Sequence, residues 1–124
     1  MKLSRTQFEQ IVEQAIERIP EKIRLHIHNL AISIETRPEP DLLQEMGVPP
    51  GETLFGLYTG VPLPERSAVD PPLYPDTILI FQEPLETYCE TIDELEMEIE
   101  ITVVHEVAHY LGIDDEALAD LGYE

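Results

Sequence analysis

An α+β fold, with one long helix lying across a small mixed sheet, is predicted by three features of the sequence. Residues 4 to 19 repeat apolar side chains at helical spacing, three short segments rich in β-branched residues follow, and no Gly or Pro interrupts the chain from Thr91 to Gly112. A helix, then a run of strands, then a closing helical stretch is the order of an α+β domain rather than of alternating βαβ units.

The first helix places Phe8, Ile11, Val12, Ala15, Ile16 and Ile19 on one face, with Ser4 and Gln7 as a candidate capping box and Pro20 as its stop. Strand-like segments come next: NLAISIETRP from Asn29 to Pro38, TLFGLYTG over 53–60 and TILIFQEP over 77–84. Between the last two, GVPLPERS and DPPLYP read as a long loop shaped by Pro and Gly. EMEIEITV, residues 96–103, alternates with a period of two and would suit a strand. The Thr91 and Glu94 capping box and the absence of breakers outweigh that alternation, so the spacing predicts one helix over 92–111. Ile92, Leu95, Ile99, Val103 and Val107 form one stripe on it, and Met97, Ile101, Val104, Ala108 and Leu111 an adjoining one. Its C-terminal half should therefore be buried almost all round. Gly112 supplies a C-terminal cap, and a short last helix over about 114–122 begins at Asp114 or Asp115. At 124 residues the chain is expected to form one domain, 1–124.

The formal net charge is −19, and its distribution says more than its total. The last basic residue is Arg66, so residues 67–124 carry sixteen acidic side chains and no Lys or Arg. Such a surface repels phosphate backbones and anionic lipid, which argues against nucleic acid or membrane as partner and leaves a cationic ligand as the better match. Cys89 is the single cysteine, which excludes an internal disulfide and, with no signal peptide and no apolar run of spanning length, points to a cytoplasmic protein.

The chemistry is concentrated in HEVAHYLGIDDE, residues 105–116. Histidines four apart on a helix stand about 40° apart around the axis and one turn along it, so His105 and His109 can aim at one ion. Glu106 falls beside the same face, close enough to serve a water on the metal without being a ligand. Zn2+ would acidify that water, and Glu106 would take its proton during attack on a carbonyl and return it to the leaving amine. Two imidazoles need a third protein ligand. Gly112 can turn the chain back toward the ion, which places Asp115 well, with Asp114 and Glu116 as competitors separated from it only by loop geometry.

The pattern His105, Glu106, His109, Gly112 and Asp115 resembles the zincin metallopeptidases with an extended H-E-x-x-H-x-x-G-x-x-D motif. With TVVHEVAHYLGIDDEAL and the upstream LFGLYTGVPLPERS, the chain is similar, over most of residues 50–124, to the small bacterial zincin-like metallopeptidase family of minimal zincins. That resemblance implies a zincin-like fold, His105, His109 and Asp115 as zinc ligands, and Glu106 as catalytic base. Metzincins follow the third ligand with a methionine turn. The nine residues after Asp115 contain no Met, so the floor of the site is expected to be built differently.

The expected function is zinc-dependent hydrolysis of a peptide or amide bond, with a peptide or protein substrate, a cationic one in particular. If residues 53–60 form an edge strand beside the zinc, a peptide could pair with it at Gly56, Tyr58 and Gly60. The alternatives are a non-catalytic zinc-stabilised binding module and, less well supported, a metal-dependent ribonuclease, which Glu106, Asp115 and the charge disfavour. His26 and His28 would share one side of a strand, Tyr110 and Tyr123 could approach an oxyanion, and Cys89 lacks a basic neighbour in sequence. Substrate and oligomeric state are not encoded in any recognisable feature.

Overall fold

The computed structural model describes residues 1–28, 30–60 and 76–123, and among these the side chain of residue 115 lies outside the description. The expected loop over 60–75 therefore falls mostly outside the described residues.

Helix α1 (Arg5–Arg18) begins as the sequence predicts, with Ser4 Oγ accepting from the Gln7 N–H at 3.1 Å and Gln7 Oε1 accepting from the Ser4 N–H at 3.0 Å. It buries Phe8, Ile11, Val12 and Ala15. Pro20 closes it but also opens a second helix, α2 (Glu21–Ile27), because a residue at a helix start needs no N–H donor. LHIHNL is thus helical up to Ile27, with Ile23 and Ile27 buried one turn apart. The expected strand-like pairing of His26 and His28 is overturned: two positions on a helix are about 200° apart around its axis, so the rings diverge.

Strand β1 (Ala31–Glu35) runs parallel to β3 (Thr77–Phe81), and β2 (Gly56–Thr59) pairs antiparallel with β3, so the sheet is mixed, in the order β1-β3-β2. Between β1 and β2 lies α3 (Pro40–Glu45), with Pro40 in its first turn. The third predicted strand stops early, because Gln82 begins α4 (Gln82–Tyr88), in which Pro84 occupies the first turn, where its missing donor is harmless. Two buried polar side chains of α4 bind the N-terminal segment: Gln82 accepts from Arg5 and donates to Leu3 O, and Glu86 accepts from the Leu3 N–H at 2.6 Å.

Helix α5 (Ile92–Leu111) occupies the span predicted for it. Thr91 Oγ1 accepts from the Glu94 N–H at 3.1 Å, while the Glu94 carboxylate reaches one residue further back, to the Glu90 N–H at 2.9 Å. Tertiary burial overrides the period-two pattern of its middle: Leu95, Ile99, Val103 and Val107 are all fully buried, against α1 and the sheet residues Ile78 and Ile80. The second stripe is less complete, with Met97 half exposed.

Gly112 ends α5 at φ 73°, ψ 27°. Its N–H donates to His109 O at 3.2 Å and that of Ile113 to Ala108 O at 2.9 Å, the paired bonds of a Schellman cap. Helix α6 (Asp115–Asp120) follows and docks through the buried Leu118. Gly112→Ala forces a β-carbon into the left-handed region, at about 1–2 kcal/mol. The expected result is a loss of about 1 kcal/mol in urea unfolding; unchanged stability would show that the turn is not held in this conformation.

Candidate active site

Beside α5, the edge strand β2 runs along the row Thr102, Glu106, Tyr110, residues one helical turn apart. Gly56 faces Thr102 and Glu106, and a β-carbon there would stand 2.6 Å from Thr102 Cγ2 and 3.0 Å from Leu79 O. The Tyr58 N–H donates to Glu106 Oε1 at 2.6 Å, and the Tyr58 ring tilts against Tyr110 with centroids 5.8 Å apart. Antiparallel alternation explains this bond. Phe81 N–H donates to Phe55 O, so positions 55, 57 and 59 bond toward β3, whereas Gly56 and Tyr58 turn their backbone groups away from it.

Glu106 is 8% exposed, a carboxylate placed in the protein with one oxygen held by that N–H. Its other oxygen lies 3.6 Å from His109 Nδ1, and the His109 side chain is 65% exposed. His105 is half-buried, and its Nε2 is enclosed without any hydrogen-bond partner among the described residues. A buried ring nitrogen without a partner costs stability unless something binds it. Two imidazoles four residues apart on one helix are donors of the kind zinc takes, with Glu106 beside them as a carboxylate that need not bind the ion, and an enclosed ring nitrogen such as His105 Nε2 suits a ligand position. Residues His105 and His109 therefore fit zinc.

For the third donor, the structure distinguishes the candidates in part. Asp114 Oδ1 accepts from the Ala117 N–H at 2.9 Å, so its carboxylate caps α6, and Glu116 is exposed. Asp115 is the first residue of α6, with its side chain outside the description. Among the described residues, no group of three or more His, Cys, Asp or Glu side chains is gathered as a ready ligand set.

The three positions expected to meet a substrate each have a structural duty. Gly56 lets β2 approach α5, Tyr58 holds Glu106, and Gly60, at φ 144°, makes room for the Asp76 carboxylate. Asp76, 5% exposed, accepts from the Tyr58 hydroxyl at 3.1 Å. Sequence reasoning missed Asp76, which carries no spacing signal, and Thr102, which the i, i+4 relation to Glu106 could have revealed. Gly56→Ala is expected to drive β2 off α5, lengthen the Tyr58 to Glu106 bond and cost about 1–3 kcal/mol by overpacking. Adding Thr102→Ala should recover part of that loss in thermal unfolding; wild-type stability of Gly56→Ala alone would refute the tight contact.

Three other side chains are employed elsewhere. Tyr110 is buried against Tyr58. Burial, reinforced by Glu98 and Glu94, pushes the Cys89 thiol up, the wrong direction for a nucleophile. Tyr123 donates to Glu100 Oε2 at 3.2 Å, and Arg18 Nε binds the other oxygen at 3.1 Å, so the end of the chain is tied to the middle of α5. Burial, then the Glu100 charge, pushes the Tyr123 phenol from 10.0 up to about 12. A group with a raised folded pKa contributes stability that is complete below the unfolded value and fades as pH rises through the folded one. The wild type should thus lose stability between pH 10 and about 12 more steeply than Tyr123→Phe; parallel urea midpoints across that window would contradict the assignment.

A family model described as zincin-like metallopeptidase matches residues 27–123. No curated protein matches the chain. Among solved structures, a conserved hypothetical protein from T. thermophilus is similar in fold, with a TM-score of 0.57 and 23% identity over 95% of this chain and 99% of that one.

Proposed function

Because the chain belongs to the zincin-like metallopeptidase family, we propose that it hydrolyses peptide bonds with zinc held by His105, His109 and Asp115 and with Glu106 as general base. The observation that carries this reading is the pairing of a buried, partnerless His105 Nε2 with a Glu106 carboxylate aimed by a backbone N–H. Zinc, when bound, supplies a Lewis acid that acidifies water and polarises a carbonyl.

The rest is done by the chain. The Tyr58 N–H fixes Glu106 Oε1, which limits the carboxylate to one orientation and leaves Oε2, on the His109 side, to accept the proton of the attacking water. The same oxygen then returns the proton to the leaving amine. Gly56 turns its N–H and C=O outward next to this carboxylate, so an extended peptide can pair there as a further strand. The net charge of −19 favours a substrate rich in Lys or Arg. Among the described residues, no helix is long and apolar enough to cross a membrane.

The test is elemental analysis of the purified protein together with cleavage of a mixture of Lys-rich peptides, before and after chelation. About one zinc per chain and chelator-sensitive cleavage, restored by added zinc, are expected. A protein that retains no divalent metal, or one that retains zinc and cuts nothing, overturns the peptidase reading; the second outcome leaves a zinc-stabilised binding module.

A further inference from the structure

At the opposite end of β2 from Tyr58 lies a cavity of about 660 Å³ that the proposed chemistry does not use. Its walls come from Pro38, Leu43, Phe55, Pro84, Thr87 and Tyr88, a mostly apolar set drawn from the segment after β1, from α3, from the residue before β2 and from α4. The rings of Phe55 and Tyr88 stand 5.2 Å apart at 53° and form an aromatic wall, although Tyr88 is 64% exposed. An aromatic ring this accessible beside a cavity of ligand size offers a ligand a flat apolar face.

We propose that this cavity takes an aromatic side chain of a cationic peptide laid along the outer edge of β2, which makes it the specificity pocket of the peptidase site proposed above. The proposal rests on that functional reading and adds the substrate class to it. Continuity with the edge supports the occupant. Phe55 directly precedes Gly56, whose backbone groups turn outward, and lies three residues before Tyr58. At ~3.4 Å per residue, the pocket is about 10 Å from the bond presented to Glu106, or about three substrate residues. Charge supports it too. The cation at the rim, Arg37, is neutralised by Glu83 at 2.9 Å. Glu39, Asp41, Glu52 and Glu90 are exposed on the segments that build the walls, 36–55 and 82–90, where Arg37 is the sole Lys or Arg. A ring flanked by Lys or Arg meets both the apolar wall and the acidic segments that carry it.

The probes are two fluorescein-labelled nonapeptides of Lys, Gly and Ala, one carrying a single Phe and the other Ala in its place. They are titrated by anisotropy into zinc-loaded Glu106→Gln protein, which binds without turnover. The Phe peptide should bind about tenfold more tightly, the effect of burying one aromatic side chain. Tyr88→Ala, and separately Thr87→Glu, both at exposed positions that leave the core intact, should erase the difference. Equal affinities, no binding of either peptide, or a preference that survives both substitutions overturns the pocket. Wild-type cleavage separates the two ideas. A Phe preference in binding without any cleavage removes the peptidase reading and keeps the pocket, whereas cleavage indifferent to Phe keeps the peptidase and removes the pocket.

Discussion

Glu106→Gln is expected to keep its zinc and lose peptide hydrolysis by about 10²–10⁴-fold, the range that a positioned general base contributes. The substitution is nearly isosteric, and its amide oxygen can still accept from the Tyr58 N–H that holds Oε1 at 2.6 Å. The neighbourhood of His105 and His109 should therefore persist, as should the fit of β2 against α5. What disappears is the ability to take and return a proton. The loss should fall on kcat with KM little changed, because Glu106 acts on the reacting atoms and the peptide is held by the strand edge. Zinc content measured on the same preparation gives the control. Wild-type turnover by a zinc-loaded Glu106→Gln protein would exclude Glu106 as the base and, with it, the mechanism.

The parts of this molecule legible in its sequence are those governed by local chemistry. Ser4 and Gln7 announce the start of α1, Thr91 the start of α5, and Gly112 its end, because caps depend on residues within one turn of each other. Those caps also decide the alternating stretch before His105, since burial on several sides lets an α-helix tolerate apolar residues at almost any spacing. The short helices are harder to read. α2, α3 and α4 each carry a proline at or near their start, and Pro20, Pro40 and Pro84 look like stops when taken alone. A helix of six or seven residues has too few turns to show a period of its own, so its position is set by what it packs on.

The candidate site divides along the same line. His105, Glu106 and His109 share a helix face, and a fixed spacing discloses them. The hydrogen bond that aims Glu106 crosses 48 residues to a backbone group, and a backbone donor has no residue type by which a sequence could advertise it. Gly56 is visible as a glycine in a strand, a mark of close approach, but the body approaching is α5 itself. The strand edge that would receive a substrate is thus also the strut that orients the base. On the proposed function, binding and catalysis would share one backbone segment.

His105→Leu separates the metal from the fold, because its effect should reverse sign with zinc. Among the described residues the enclosed His105 Nε2 has no partner, and a buried polar group that nothing binds costs about 1–3 kcal/mol. A leucine of similar bulk removes that penalty and places apolar surface beside the buried Ala108, one turn along the helix. The zinc-free variant should therefore unfold at higher urea than zinc-free wild type, by about 1 kcal/mol. With zinc the order inverts. The wild type gains RT ln(1 + [L]/Kd), about 4 kcal/mol at a thousandfold excess over Kd, whereas the variant, reduced to His109 and one carboxylate, gains little. A structural histidine that merely fills space predicts the opposite: the variant would change stability equally with and without the ion. Four urea curves, two proteins each with zinc and with chelator, decide between these outcomes. Parallel shifts would remove His105 from the ligand set, and crossing ones would show that the sequence tolerates an orphaned nitrogen in the apo fold because an ion completes it.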